Sequence, residues 1–191
     1  MVKKSKLLAA SAACVWLLAG CASPEPAPAP APPPAPKAEP VVDANAWTTR
    51  LASLKAALEA ATQGLGVTLE QTADNQLHVV LPSDRSFDVG RALIKRDMAG
   101  VLDKVAEGLR SATRASILIV GHTDSVGSVP LNERLSQSRA NNARSYLVSR
   151  GLRADMVRTE GRGSSEPVAE NDSAAGRAQN RRIELFVSDK N

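Results

Sequence analysis

Apolar residues recur along this chain at different periods, and the places where the period changes divide it into segments. From Leu7 to Leu18 they run almost unbroken. From Trp47 they alternate spacings of four and three through Leu51, Leu54, Leu58, Ala61 and Leu65, the seam of a helix that Asp43 or Asn45 can cap and Gly64 ends. This predicts an amphipathic helix over 44–64 whose stripe serves either self-association or docking on its own domain. Beyond it the signals alternate between strand and helix. Val67 to Gln71 and Leu77 to Leu81 flank a turn at Ala73-Asp74-Asn75-Gln76. A helix follows from about Ala92 to Leu109, with Ile94, Met98, Val101, Leu102, Val105 and Leu109 on one side. Ile117 to Val120 is continuously apolar, as in a strand covered on both faces. Pro130 opens a helix that runs to Arg150 and stops at Gly151, and Val157 to Glu160 and Ile183 to Val187 complete the strands. The expected fold class for 65–191 is α/β, a two-layer α+β sandwich with helices on a mixed sheet.

Composition explains why the first part does not join that domain. Basic residues at Lys3, Lys4 and Lys6, the apolar run and the small pair Ala19-Gly20 read as a signal peptide over 1–20. The sequence Leu18-Ala19-Gly20-Cys21 resembles the lipobox of bacterial lipoproteins, which implies cleavage before Cys21 and lipidation of that residue, with palmitate among the acyl chains. The resemblance also implies the outer membrane as the anchored surface, with the domain in the periplasm, because Ala22 and Ser23 stand where such lipoproteins carry an Asp for inner-membrane retention. From Pro24 to Pro40 proline is so dense that no core can form, so 21–43 is an extended Pro/Ala-rich linker, able to reach about 70 Å at ~3.1 Å per residue. Removal of the three lysines leaves 21 basic against 20 acidic side chains, and with 3% aromatics nothing suggests a nucleic-acid partner. Both cysteines, Cys14 and Cys21, precede the domain, which therefore has no disulfide and no thiolate metal site.

The candidate chemistry centres on the helix after Pro130. At roughly 100° per residue, Leu135, Ser136, Ala140, Ala143, Tyr146 and Leu147 fall on one face with Asn132, and Arg139 falls in the middle of that stripe. A guanidinium facing a sheet needs a carboxylate, carbonyls or an incoming ligand. The periodicity is equally met by a structural ion pair or by an arginine whose tip reaches solvent. Asp124 lies just past the carboxyl end of the Ile117 strand, where open α/β sheets place ligands, although it is also suited to bond its own turn backbone. An acceptor beside a fork of donors suits a zwitterion. By the same periodicity Arg144 faces away from the sheet.

These residues belong to an ordered set: Phe87-Asp88, Gly121-His122-Thr123-Asp124, Gly127, Asn132-x-x-Leu135-Ser136-x-x-Arg139-Ala140, Gly161-x-Gly163, and Gly176-Arg177-x-x-Asn180-Arg181-Arg182-Ile183-Glu184. The set resembles the OmpA-like C-terminal domain over about 66–188, and with the lipobox in front the chain is similar to peptidoglycan-associated lipoproteins. Arg162 stands where relatives often carry an aromatic. The resemblance implies a noncovalent site for the diaminopimelate stem peptide of peptidoglycan. In it Asp124 takes the ligand ammonium and Arg139 the adjacent carboxylate. Asn132 adds amide bonds, Asp88 lines the rim and Arg181 approaches from the edge of the last strand. Arg182, in the alternate phase, braces structure.

Two other classes of function remain to be weighed. An envelope scaffold would use the 44–64 helix to hold a protein partner. A wall hydrolase would draw on the nearness of His122 to Asp124. The domain, however, holds only His78 and His122, has no nucleophile-elbow serine, and its Gly161-Arg162-Gly163 lacks the rest of a dinucleotide loop, so no enzyme, cofactor or metal is expected.

Overall fold

The structure, a computed structural model, describes residues 47–88 and 90–189. The expected signal peptide, Cys21, the linker and the first residues of the 44–64 helix lie outside the described residues. Residues Pro40–Asn191 form one compact unit whose core cluster runs from Leu51 to Val187, so the unit carries its own core. No described helix is long and apolar enough to cross a membrane.

Helix α1 spans Thr49–Ala61 and begins later than the sequence pattern suggests. Thr48 is its cap: the Oγ1 accepts from the Leu51 N–H at 3.2 Å and donates to Asp189 at the far end of the chain at 3.1 Å. Leu51, Leu54 and Leu58 are all buried against the chain's own core, each burial contributing about 1.5–3 kcal/mol. These three leucines of the stripe thus serve docking on the chain's own domain and are not available for self-association. The hairpin forms as expected, with β1 (Thr68–Gln71) antiparallel to β2 (Leu77–Pro82) and Asn75 at φ 55 in the turn. A single turn, α2 (Ser83–Ser86), follows; four polar residues carry no period by which to foresee it.

The next helix, α3 (Arg96–Leu109), starts four residues after Ala92, because Ile94 forms an extended bridge to Phe87 and Lys95 is itself extended. Strand β3 (Ala115–Gly121) pairs with β5 (Arg182–Asp189) antiparallel and with β4 (Val157–Gly161) parallel, giving the mixed order β1-β2-β5-β3-β4. Leu77, Val79, Ile117, Ile119, Leu185 and Val187 are fully buried, while His78, Val80, Leu118 and Phe186 between them are partly exposed. Helices therefore cover one face, and the expectation that β3 is sandwiched fails along most of its length; only Val120 and Gly121 at its end are closed in.

Helix α4 (Val129–Ser149) lies on β3 and β4 with Asn132, Ser136, Arg139, Ala140, Ala143 and Leu147 buried, the face read from the sequence. Its approach is set by two glycines. A Cβ at Gly121 would stand 2.3 Å from the Ser136 carbonyl oxygen, and one at Gly161 2.4 Å from the Gln137 nitrogen. Arg144 does not project freely from the opposite face: it donates to the carbonyls of Val157 at 2.9 Å and Ala154 at 3.0 Å, bracing the start of β4. A short α5 (Ala174–Asn180) leads into β5.

Candidate functional site

Register brings the site together. Because Gly121 pairs with Ile183 across antiparallel strands, the residues that follow β3 meet those that precede β5, and the His122 N–H donates to the Arg182 carbonyl at 2.9 Å. On the other side Gly121 pairs with Gly161, and the Thr123 N–H donates to the Gly163 carbonyl at 2.8 Å. Between this corner, the first turns of α4 and the residues Asp84, Phe87, Asp88 and Gly90 lies a cavity of about 520 Å³. All five residues singled out as ligand contacts line it: Asp88, Asp124, Asn132, Arg139 and Arg181.

Asp124 is fixed on both oxygens. Its Oδ1 accepts the Val126 N–H at 3.0 Å, the turn bond foreseen as an alternative role, and its Oδ2 accepts Arg181 Nη1 at 2.7 Å. Asn132 donates its amide to the carbonyls of Asp124 at 3.2 Å and Val126 at 3.1 Å, so its N–H groups shape the loop that carries Asp124. Asp88 is half exposed at the rim, 3.5 Å from Lys95.

Arg139 stands apart. It is only 4% exposed, lies over the Phe87 ring at 5.1 Å, and donates from Nε to the Arg91 carbonyl at 3.0 Å. Its two terminal nitrogens have no acceptor among the described residues, and it forms no ion pair with any described carboxylate. Burial pulls its pKa down, Asp84 opposing that most among the charges around it, and the group stays a cation.

Sequence reasoning missed the rest of the lining. Asp84, its pKa lowered first by its hydrogen bonds from Arg181, binds that guanidinium at 2.9 and 2.7 Å. Arg177 adds a third cation, its Nη1 turned to the carbonyls of Asn171 and Asp172. Val126, Leu131 and Leu135 give the opposite wall an apolar character. With three acids and three arginines in its lining the cavity is formally neutral, which matches a ligand carrying both charges. Two hollows of similar size, about 560 and 550 Å³, lie elsewhere on the surface and contain no such balanced set.

His122 is not part of this cavity. Its Nε2 lies 3.6 Å from Glu184 Oε1, in a cluster where Glu184 also accepts from Arg182 Nε at 2.5 Å and meets His78 at 3.0 Å. Arg182 reaches the Glu166 carbonyl as well and braces structure, as its phase suggested. The nearness of His122 and Asp124 in sequence therefore does not become a catalytic pair.

The sequence profile of the OmpA family matches residues 86–181, a stretch that holds every residue of the cavity lining except Asp84. The chain is 38% identical over 126 residues to the probable lipoprotein YiaD of Escherichia coli (strain K12), covering 66% of this chain and 57% of that protein. It is 41% identical over 99 residues to the peptidoglycan-binding protein ArfA of Mycobacterium bovis, covering 52% and 30%. Among solved structures, the peptidoglycan-associated lipoprotein from Burkholderia pseudomallei superposes with a TM-score of 0.51 at 31% identity, covering 53% of this chain and 86% of that one. The chain thus spans less than two thirds of the length of these curated relatives.

Proposed function

The chain belongs to the OmpA family, and from that premise we propose that it binds peptidoglycan noncovalently through the diaminopimelate stem peptide and, anchored by lipid at Cys21, tethers the outer membrane to the cell wall. One observation carries the proposal: a buried arginine, Arg139, keeps two donor nitrogens unspent in the same cavity as a fixed carboxylate, Asp124. A buried cation without a counter-charge costs several kcal/mol, on the order of what a bidentate ligand carboxylate returns. The ε-centre of diaminopimelate presents an ammonium and a carboxylate on one carbon, so Asp124 takes the first and Arg139 the second. Asn132 holds the Asp124 loop and offers its amide oxygen, Asp88 guards the rim, and Arg181 acts by pinning Asp124. The similarity to a probable lipoprotein and to a peptidoglycan-binding protein supports the same reading. Nothing in this arrangement breaks a bond, and the role is that of a non-catalytic tether with residues 21–43 as spacer.

Fractionation of cells carrying the full chain tests both ends of the tether. The unaltered chain is expected in the outer membrane and, after detergent, on the peptidoglycan sacculus. Cys21→Ser is expected to appear as an unprocessed precursor or a soluble periplasmic form that still binds sacculi. A serine variant that still takes acyl label in the outer membrane, or an unaltered chain that washes off the sacculus, contradicts the proposal.

A further inference from the structure

The cavity already holds a carboxylate on its cationic side. Asp84 sits in the single turn α2, its side chain about half exposed at the mouth. Both of its oxygens are taken by Arg181, from Nε at 2.9 Å and from Nη2 at 2.7 Å, and the remaining Nη1 is taken by Asp124 at 2.7 Å. Every nitrogen of Arg181 therefore has a carboxylate partner within the chain. Arg139, in the same cavity, has none among the described residues, and Asp84 is the acid whose charge it feels most. Two arginines thus stand where a ligand carboxylate is expected, one of them already occupied.

We propose that Asp84 is a resident counter-ion that closes Arg181 to incoming ligands, leaving Arg139 as the open carboxylate fork of the two and so limiting how strongly the site prefers a ligand carboxylate over an uncharged carboxamide. The inference rests on reading the cavity as a diaminopimelate site. Its logic is one of charge. Asp84 and Asp124 against Arg139 and Arg181 leave the inner cavity neutral, matched to a zwitterion. Removing the Asp84 charge adds one positive charge and releases the Nε–Nη2 edge of a planar fork, the geometry that grips a carboxylate with two parallel bonds. A carboxamide, with no charge, gains nothing from either change. Because the Asp84–Arg181 pair is partly exposed, it contributes little to folding, and asparagine keeps one acceptor in the same place.

The test is calorimetric titration of residues 40–191, which carry their own core, with a soluble disaccharide tripeptide bearing a free diaminopimelate carboxylate, and with the same compound amidated there. Asp84→Asn is expected to tighten binding of the free acid about two- to fivefold, the range of one partly exposed charge contact, and to leave the amidated form unchanged. In the double variant Asp84→Asn, Arg181→Gln the gain is expected to vanish. Unchanged or weaker binding of the free acid by Asp84→Asn, an equal gain for both compounds, or a gain that survives in the double variant overturns the proposal. Failure of the unaltered protein to bind either compound overturns the assignment of the cavity itself, an outcome distinct from binding without the gain.

Discussion

Arg139 takes its character from what surrounds it and from what does not reach it. The Phe87 ring and the Arg91 carbonyl hold the guanidinium in place, yet its terminal nitrogens remain without an acceptor among the described residues. Arg139→Ala is expected to weaken muropeptide binding by about 2–5 kcal/mol, the cost of breaking a buried charged contact. Arg139→Lys stays damaging, since a point charge cannot make two parallel bonds. Arg134, exposed on the same helix without a bonded partner among the described residues, is the comparison: Arg134→Ala leaves binding unchanged. Thermal melts run alongside separate this from a structural role. A ligand fork predicts that Arg139→Ala loses about 1–2 kcal/mol of stability, the hydrogen bond to Arg91 and the contact with the Phe87 ring; a larger loss of stability with normal binding in the folded fraction contradicts it. At this scale the sequence was readable where a residue broke its local pattern. Arg139 interrupts an apolar stripe and Asp124 lies just past the end of a strand. Asp84 breaks no pattern, and its partner Arg181 lies 97 positions away, so only the folded chain reveals it.

Elements were legible in proportion to their length and period. The two long helices and the hairpin followed from spacing, whereas α2 has no period and the start of α3 was displaced by the Phe87–Ile94 bridge, a tertiary contact. For α1 the spacing defined the stripe but not its partner, because coiled coil and core docking use the same leucines; the burial of Leu51, Leu54 and Leu58 decides it. The contact between α4 and the sheet was hidden for a different reason. A glycine motif states that space is short without stating what fills it, and here the occupant is the backbone of α4. Gly121→Ala therefore forces backbone apart and is expected to cost at least about 1–3 kcal/mol of stability, measured by chemical denaturation. It should also weaken muropeptide binding, since α4 carries Asn132 and Arg139 away from Asp124. Wild-type stability and affinity in this variant would show that the close approach does not set the site.

For the whole molecule, a sheet covered by helices on one face leaves charged groups on the other, near the end where the cavity lies. There burial, with Arg182 next, lowers the His122 pKa from 6.5 to about 4. Burial pushes Glu184 the opposite way, but hydrogen bonds from His78 and Arg182 prevail and hold its carboxyl at about 2. Both groups bind protons more readily in the unfolded chain. The stability linked to His122 is complete above pH 6.5 and is lost as pH falls toward 4; that linked to Glu184 is complete above pH 4.5 and is lost toward 2. Melting temperature is therefore expected to fall on acidification from pH 6.5, with His122 contributing at most about 3 kcal/mol. His122→Gln should flatten the profile between pH 6.5 and 5, and an unchanged slope in that variant would contradict the assignment. In sequence the nearness of His122 to Asp124 is the basis of a rival reading only; the contact of His122 with Glu184 assigns it instead to this buried cluster.

The claim that the cavity reads the zwitterionic end of diaminopimelate is tested most directly by co-sedimentation of residues 40–191 with two purified walls. One carries diaminopimelate in its stem peptide and the other lysine, which keeps the ammonium and lacks the carboxylate. The protein is expected to pellet with the diaminopimelate wall and to stay in the supernatant with the lysine wall, and Arg139→Ala to stay in the supernatant with both. Equal pelleting of the unaltered protein with the two walls would contradict the account.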